Sequence, residues 1–424
     1  MGPVLQPLGA IALVCNPYHR GGITRWVVDF SIRWSELGGE CWLVAPRPVR
    51  PFVSGRDRPT IVELLASQAP SVMPRIISPE VGWEFEFGTE AYRAGILERA
   101  VRTMVRRGVP LVMTDDPSTW LACARLAERH PVVGVMHSDD VHYYDLARRY
   151  HSHLSAIVAV SQRTNDAIVR MLGAQSPPGA VIPCGVRVGV LPPDPAPASP
   201  LRLIWAGRMV EGQKRVSDLP AIAAILRARG LEFTMALYGE GPARATLERA
   251  FQDVVPPSSV EFHGWQDPSE VSAAMARADV LLLPSNYEGM SVAVMEALSV
   301  GCSVVATRIS GIEDVESHPL AACSLWVYEV GDVKSAAEHV ITVAGTPRGV
   351  RRRRAHALAE AEFSLDRSVM RYAELLRTLS PRRQAPSRWR DLGFRVQRAA
   401  SGLVAAQRLA RVRARRGRVL QEPA

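Results

Sequence analysis

Short apolar runs alternate with amphipathic segments along the first half of the chain. The apolar runs predict strands at residues 11–15, 41–45, 111–114, 132–137 and 156–161. Between them, apolar residues recur every three or four positions in segments such as residues 23–37 and 92–107, which predicts helices. This alternation is typical of a parallel sheet covered by helices.

The same alternation returns in the second half, after a break in the pattern. Residues 186–200 hold five prolines and show no helical periodicity, so we place an interdomain linker at residues 191–200. The strands predicted beyond it are residues 201–205, 233–238, 260–263, 280–284 and 303–306, with helices at 216–229 and 243–254. The prediction is an α/β fold of two Rossmann-like domains, whose parallel sheets face a central cleft that is the expected ligand site.

The positive charge of the chain is concentrated in its tail. The 424 residues carry a formal net charge of +9, but residues 381–424 contain twelve arginines and two acidic residues. The preceding 380 residues therefore hold 39 basic and 40 acidic side chains, and this nearly neutral body gives no reason to expect a nucleic-acid partner. Apolar residues recur at three- and four-residue spacing between positions 392 and 406. Two interpretations of the tail stay open: a solvated extension, or a basic amphipathic helix on an anionic membrane.

Apolar runs and cysteines indicate the compartment. No run approaches the roughly 20 residues that span a bilayer, and no basic segment precedes the first apolar stretch, which is predicted as a strand rather than a secretion signal. The six cysteines are scattered without a C-x-x-C pair, which favours buried thiols over a zinc site. We expect a cytoplasmic protein, free or peripheral on the inner face of the plasma membrane, with no metal and no cofactor.

Two carboxylates follow a buried strand of the second half. In the segment LLLPSNYEGMSVAVMEAL, Glu288 stands at the strand-to-helix corner and Glu296 lies eight residues on, slightly over two helical turns. A helix is predicted to begin near Gly289, Met290 and Ser291, where free backbone N–H groups and the helix dipole favour an anion. Two solvated acids are the simpler interpretation of such spacing alone, but the buried strand and the apolar helix favour a functional pair.

Two cations follow the first strand after the linker. Gly207 ends that strand and allows close approach of the backbone, and Arg208 and Lys214 come next, six residues apart. An arginine supplies a planar fork for phosphate oxygens, and a lysine supplies a mobile point charge. Surface cations are the alternative, but the position at the carboxyl end of a strand favours the cleft.

The first half contributes weaker candidates. Gly21 and Gly22 lie between the first strand and the first helix, where backbone N–H groups could approach a phosphate or sugar, although a tight turn explains them equally well. His137 ends a buried strand, and either a structural or a functional role fits it. Asp139 and Asp140 have no further ligands at suitable spacing, so they are interpreted as loop residues or a helix cap rather than a metal site.

Together these motifs resemble the family 4 retaining glycosyltransferases of GT-B fold. The second half is similar in Gly207-Arg208 with Lys214, in YGEGP at 238–242, FHG at 262–264, EGMSVAVME at 288–296 and GCSVVATRISGIEDV at 301–315. The first half is similar in Gly21-Gly22, His137, VAVS at 158–161 and VIPCGV at 181–186. The resemblance covers roughly residues 10–380, and so many motifs in one order are strong evidence.

The resemblance implies a role for each candidate residue. Arg208 and Lys214 would hold the diphosphate of a nucleotide-sugar donor, UDP- or GDP-linked. Glu296 would bind the ribose hydroxyls, Glu288 would contact the transferred sugar, and His137 would lie against that sugar from the other domain. The leaving phosphate itself would accept the proton of a hydroxyl acceptor on the same face, which gives retention without a dedicated general base.

The resemblance also implies the domain roles. Residues 1–190 would be the acceptor-side domain, with Gly22 near the phosphates, and residues 201–365 would bind the donor. A helix at 366–380 would cross back to the first domain, ahead of the tail at 381–424. The chain departs from the family at Cys184, which stands where Asn is usual, and at Gly39, which replaces His. Both departures lie outside the donor-binding core.

Two other functions stay open at this point. A GT-B scaffold could instead epimerise or hydrolyse a nucleotide sugar, or the chain could be a non-catalytic subunit of glycan assembly. The presence of Arg208, Lys214, Glu288 and Glu296 together disfavours the second alternative. The donor base, the sugar and the acceptor cannot be identified from these motifs.

Overall fold

A seven-stranded parallel sheet organises the first half of the protein. The computed structural model describes residues 8–16, 21–48, 60–68, 74–81, 85, 88–193 and 200–382. The strands of this half are β1 (Ala10–Val14), β2 (Glu40–Val44), β3 (Arg47–Pro48), β4 (Arg75–Ile77), β5 (Glu80–Val81), β6 (Leu111–Met113), β7 (Val132–Met136), β8 (Ala156–Ala159) and β9 (Gly179–Val181). The sheet order is β4-β2-β1-β6-β7-β8-β9, and β3 pairs separately with β5.

Helices cover both faces of this sheet. They are α1 (Gly22–Glu36), α2 (Ile61–Gln68), α3 (Glu90–Met104), α4 (Pro117–Ala124), α5 (Val141–Tyr150) and α6 (Gln162–Leu172), with 3₁₀ turns at His151–His153 and Gly173–Gln175. Asp140 caps the start of helix α5, where its side chain accepts hydrogen bonds from the backbone N–H groups of His142 and Tyr143. The helix-cap interpretation of Asp140 is thus confirmed.

A six-stranded parallel sheet organises the second half. Its strands are β10 (Leu201–Ala206), β11 (Phe233–Tyr238), β12 (Val260–Gly264), β13 (Val280–Leu283), β14 (Ser303–Thr307) and β15 (Leu325–Tyr328), in the order β12-β11-β10-β13-β14-β15. The helices are α7 (Glu211–Lys214), α8 (Asp218–Ala228), α9 (Arg244–Gln252), α10 (Pro268–Arg277), α11 (Val292–Ser299), α12 (Glu313–Glu316), α13 (Val333–Gly345), α14 (Arg348–Phe363) and α15 (Leu365–Arg377), with a 3₁₀ turn at Pro257–Ser259.

Each sheet reverses its strand order once. In the first sheet the chain moves outward from β1 through β2 and then returns to β6 on the other side of β1; in the second it moves outward from β10 and returns to β13. Loops that leave such neighbouring strands in opposite directions open a crevice at the carboxyl ends of the strands. In the second sheet the segment after β10, which includes the short helix α7, carries Lys214, and the loop after β13 carries Glu288.

The last helix returns to the first half. Helix α15 packs on α1, where the ring of Tyr372 lies 5.0 Å from that of Phe30 and 6.1 Å from that of Trp26. Arg33 donates two hydrogen bonds to the carboxylate of Asp366, at 2.5 and 2.6 Å. One continuous group of buried apolar residues includes residues of α1, α11, α14 and α15, so packing joins the two halves.

Several predictions about the chain meet the structure only in part. Five of the six cysteines are buried, but Cys323 is exposed, which corrects the expectation for that residue. Among the described residues, no helix has the length and apolar character needed to cross a membrane. Most of the predicted linker, residues 194–199, and the tail from residue 383 onward lie outside the described residues.

Candidate active site

Lys214 and Glu288 form an ion pair at the switch point of the second sheet. The ammonium of Lys214 donates to Oε1 of Glu288, and the hydroxyl of Ser285 donates to the same oxygen at 2.9 Å. The Glu288 residue is 8% exposed, so the pair lies largely out of bulk solvent. Burial strengthens the attraction between the two charges, and it also means that removing one partner strongly destabilises the fold, because the other charge is left buried without a partner.

Backbone and side-chain hydrogen bonds tie together the loops that carry this pair. The N–H of Asn286 donates to the carbonyl of Gln213 at 2.7 Å, and its side-chain amide donates to the carbonyl of Gly212 at 2.9 Å. Helix α7 stops at Arg215, which adopts a left-handed conformation with φ of 44° and donates to Asp218 and Asn286. The position of Lys214 is therefore determined by contacts on both sides of its helix.

Arg208 lies apart from the ion pair. It follows β10 directly after Gly207, and its guanidinium is exposed, with Nη2 3.5 Å from Oε1 of Gln213. The structure thus brings Lys214, but not Arg208, into contact with Glu288. An exposed guanidinium at the carboxyl end of β10 is free to turn toward an anion in the cleft. That Arg208 holds the donor diphosphate therefore stays a prediction.

His137 approaches the loop of Glu288 from the first half. It follows β7, is 7% exposed and packs edge-on against Trp26 of α1, with ring centroids 4.7 Å apart. The Sγ atom of Cys184 lies 3.6 Å from its Nδ1. Burial raises the pKa of the Cys184 thiol to about 12, so the group beside the imidazole is a neutral thiol at physiological pH.

The two halves meet through the backbone beside these residues. Gly289 pairs with Ser138 in an antiparallel bridge, and the N–H of Asp139 donates to the carbonyl of Glu288 at 3.2 Å. A Cβ atom at position 289 would come within 2.2 Å of the carbonyl oxygen of His137. Only glycine allows this approach, which brings the predicted sugar-contacting residues of both halves to one place.

Glu296 lies one turn into α11 and borders the first half. Helix α11 begins at Val292, so the helix starts just after Gly289, Met290 and Ser291 instead of within them, and Glu288 is outside it. A Cβ atom at Gly22 of α1 would lie 2.9 Å from Cγ2 of Val292, so the two helices start against each other. The N–H groups of the three preceding residues remain in the loop that faces His137.

The charge state of Glu296 is sensitive to pH near neutrality. Burial raises the pKa of its carboxyl to about 7; the guanidinium of Arg25 opposes this rise and the carboxylate of Asp29 adds to it. Arg25 and Asp29 form an ion pair on α1, with Nε and Oδ2 2.6 Å apart. Helix α1 therefore provides the charged surroundings of a residue that belongs to the second half.

The remaining predicted residues take different positions. Gly21 is exposed and precedes α1, while Met290 and Ser291 are buried residues of the loop that precedes α11. Sequence reasoning gave no role to Ser285, Asn286 and Arg25, which complete the surroundings of the two glutamates. Ser285 and Asn286 lie within the quoted EGM-containing segment, so their proximity to Glu288 was the available signal. Among the described residues, no three His, Cys, Asp or Glu side chains gather to hold a metal ion.

Comparison with known proteins agrees with this architecture. Two parallel-sheet α/β domains with a cleft between them define the GT-B fold. Solved structures with this arrangement include Anabaena HepE in complex with UDP-glucose, at 16% identity and a TM-score of 0.66 over 87% of this chain and 100% of that chain. TarM is similar with 11% identity and a TM-score of 0.69, over 88% and 99% of the two chains. At these identities the likeness shows the fold.

Family models and curated relatives agree with the fold. Residues 20–189 match the model for Glycosyltransferase Family 4, and residues 200–345 match that for Glycosyl transferases group 1. The chain therefore belongs to the family 4 glycosyltransferases. It is 29% identical over 189 residues to the amylovoran biosynthesis glycosyltransferase AmsK of Erwinia amylovora, covering 43% of this chain and 46% of AmsK.

A mycobacterial relative has a similar partial match. The chain is 30% identical over 178 residues to the GDP-mannose-dependent alpha-(1-6)-phosphatidylinositol dimannoside mannosyltransferase of Mycobacterium tuberculosis, covering 42% of this chain and 43% of that protein. In both of these curated relatives, the match spans less than half of the relative's own length.

Proposed function

We propose that this protein is a retaining glycosyltransferase of the hexosyltransferase type, which transfers a sugar from a nucleotide-diphosphate sugar to a hydroxyl acceptor. The observation that carries the proposal is the Lys214–Glu288 pair. It adjoins the loop of Gly289, Met290 and Ser291 (the glycine loop), in which Gly289 contacts His137 across the cleft. Family membership and the GT-B fold support the same reaction class.

The proposed chemistry follows from the charges around the loop. Glycosyl transfer builds positive charge on the sugar and negative charge on the departing diphosphate. Lys214 would stabilise the diphosphate together with Arg208, once the latter turns into the cleft, and the N–H groups of Gly289 and Met290 would add hydrogen bonds. The carboxylate of Glu288, directly beside Lys214, would face the sugar. These groups supply the stabilisation that a divalent cation provides in other sites.

In the proposed retaining transfer, the donor itself accepts the proton of the acceptor hydroxyl. In the proposed reaction the acceptor oxygen attacks on the face that the diphosphate leaves, and a phosphate oxygen takes its proton. His137, whose Nδ1 contacts a neutral thiol, would hold the sugar by hydrogen bonding instead of acting as the base. Glu296 would bind the ribose hydroxyls, as its position on α11, one turn beyond the loop of residues 289–291, allows.

The donor and the place of action belong to the same proposal. UDP- and GDP-sugars are the first candidates, since HepE is described with UDP-glucose and the mycobacterial relative as GDP-mannose-dependent. Glycans and lipid-linked sugars are the candidate acceptors.

The arginine-rich tail at residues 381–424 would attach the enzyme to an anionic membrane, with about 1 kcal/mol per arginine near the surface. Sedimentation with anionic liposomes at low salt tests that attachment, with a protein that ends at residue 383 as the control. If the intact protein stays in the supernatant, as the control should, the attachment is excluded.

A thermal-shift screen of UDP-, GDP- and ADP-sugars tests the donor assignment. A ligand at 100 times its Kd stabilises the folded protein by about 2.7 kcal/mol, which is readily measured. We expect one nucleotide class to stabilise the wild type, and Lys214→Met and Arg208→Ala to lose most of the shift. Arg353→Gln, which changes an exposed arginine of α14, is the control and should keep it. Equal shifts in all four proteins would contradict the proposed diphosphate site.

A further inference from the structure

A cavity of about 660 Å³ lies between the two halves of the protein, next to the glycine loop. Among the described residues, Met290 lines it, whereas Arg208, Lys214, Glu288 and Glu296 do not. Its volume falls within the roughly 300–1,000 Å³ of typical small-ligand sites. The cavity is therefore separate from the proposed diphosphate site but touches the same loop, two residues beyond Glu288.

We propose that this cavity binds a sugar unit of the acceptor that carries a carboxylate or phosphate group, and that Arg170 and Arg371 pair with that anion. The proposal rests on the proposed function, since it names the acceptor class of the same reaction. Arg170 extends from α6 of the first half and Arg371 from α15, so a bound anion would contact both the first domain and the returning helix.

The acidic residues of the cavity wall already have partners within the protein. The guanidinium of Arg163 donates from Nε to Glu313 at 2.7 Å. Asp314 accepts from the backbone N–H of Gln162 at 2.8 Å, and Asp166 accepts from the Gln162 side-chain amide at 2.7 Å. Glu362, the fourth acid of the wall, lies 3.7 Å from Nε2 of His318. Each carboxylate of the wall therefore has a partner within the protein and does not need a cation from the ligand.

Arg170 and Arg371 differ from those residues. Both are exposed and line the cavity, and neither forms an ion pair with a carboxylate among the residues that the structure describes. Two guanidinium groups without a countercharge at one cavity favour an anion, and their planar donors match carboxylate and phosphate oxygens. Among the described residues, the wall holds four carboxylates and three arginines, so the preference for an acidic ligand rests on these two guanidinium groups and not on the net charge of the wall.

The rest of the wall fits a sugar ring. The apolar contacts come from Val181, Pro183 and Met290. Carboxylates on α6 and α12 can accept hydrogen bonds from sugar hydroxyls, and the side-chain amide on α6 can donate to them or accept from them. The place of the cavity suits an acceptor, because its reacting hydroxyl has to reach the sugar held beside Glu288. A unit next to Met290 lies on the same loop as that sugar.

Binding measurements on matched sugars test the proposal. The probes are glucuronic acid, glucose 6-phosphate, glucose and inorganic phosphate, each titrated calorimetrically into protein saturated with the nucleotide that binds best. We expect at least one acidic sugar to bind about tenfold or more tightly than both glucose and inorganic phosphate. The double variant Arg170→Gln/Arg371→Gln should lose that preference, and the control Arg353→Gln should keep it.

Three results would overturn the proposal. Acidic sugars that bind the double variant as tightly as the wild type would exclude the two arginines. Glucose that binds as tightly as the acidic sugars would exclude the anion, and inorganic phosphate that binds as tightly would exclude the sugar. Nucleotide affinity, measured in the same titrations, should be equal in all three proteins. A wild type that binds no nucleotide would contradict the proposed function instead; the sugars would then be titrated into the protein alone, where the same comparison of variants tests the cavity.

A kinetic arm tests the acceptor role itself. With the nucleotide sugar as donor, the preferred acidic sugar should accelerate nucleotide release by the wild type and by Arg353→Gln, but not by the double variant. Binding of that sugar without acceleration in the wild type would refute the assignment to the acceptor.

Discussion

Two substitutions at the Lys214–Glu288 pair separate its contribution to stability from its contribution to catalysis. The side chains are 14% and 10% exposed, so the pair is close to fully buried. Lys214→Met would leave the carboxylate of Glu288 in place without its countercharge. Breaking a buried pair from one side costs about 3–5 kcal/mol, and the remaining solvent contact places the expected loss in the free energy of unfolding at about 3 kcal/mol.

The double variant Lys214→Met/Glu288→Gln should recover most of that stability. A glutamine at position 288 removes the uncompensated charge and still offers a carbonyl oxygen to the hydroxyl of Ser285. Activity should not return. The ammonium of Lys214 would stabilise charge on the departing diphosphate, and losing one such donor lowers kcat by roughly 10²–10³-fold.

The assay combines denaturant unfolding with donor-dependent nucleotide release for the wild type, both single variants and the double variant. Glu248→Gln, which removes a partly exposed partner of Arg244, is the control and should lower the free energy of unfolding by about 0–1 kcal/mol. Recovery of both stability and turnover in the double variant would show that Lys214 serves only to neutralise Glu288, and would refute its role at the diphosphate.

Further predictions concern Glu296, Gly289 and metal ions. Glu296→Ala should raise the Kd for the nucleotide about tenfold with little change in kcat, because a ribose contact exists before and during the reaction. In the wild type the nucleotide should bind about five- to tenfold more tightly at pH 8 than at pH 6. The Glu296 carboxyl, with a pKa of about 7, ionises over that interval, and an ionised acceptor binds hydroxyls more strongly. A pH-independent Kd measured by calorimetry would contradict this prediction. Gly289→Ala should lower turnover about 10²-fold while nucleotide binding persists, because the added methyl group would collide with the carbonyl of His137 and displace the loop. Steady-state kinetics measure the turnover and calorimetric titration measures the nucleotide affinity; unchanged turnover would contradict the prediction. Full turnover should persist in EDTA, and loss of activity that Mg²⁺ or Mn²⁺ restores would show that the protein cations do not suffice.

Local patterns predicted the framework because they are properties of short segments. The buried strands consist of consecutive apolar residues, and β11 (Phe233–Tyr238) has the predicted bounds. The strands β9, which follows two prolines, and β15 were not predicted; both lie at the edge of their sheet and are only partly buried, so they lack the continuous buried run of the central strands. The order of strands within each sheet also depends on packing across the whole domain.

The site was predictable only one half at a time. The segment that contains Glu288 and Glu296 indicated a functional corner, and the cations after β10 indicated another. The contact of Gly289 with the carbonyl of His137 joins residues about 150 positions apart, so it depends on how the halves dock. The same docking places Arg25 and Asp29 near Glu296, and brings Cys184 against His137. None of these contacts leaves a local pattern in the sequence.

The anomeric configuration of the released sugar decides whether the transfer is retaining. Proton NMR can follow the slow hydrolysis of an α-linked nucleotide sugar in the absence of acceptor, with water in the place of the acceptor hydroxyl. We expect the α-anomer of the sugar to appear first with the wild type, and Lys214→Met to release it about 10²–10³-fold more slowly. Initial formation of the β-anomer, or equal rates for the two proteins, would contradict a retaining transfer in which Lys214 stabilises the leaving diphosphate.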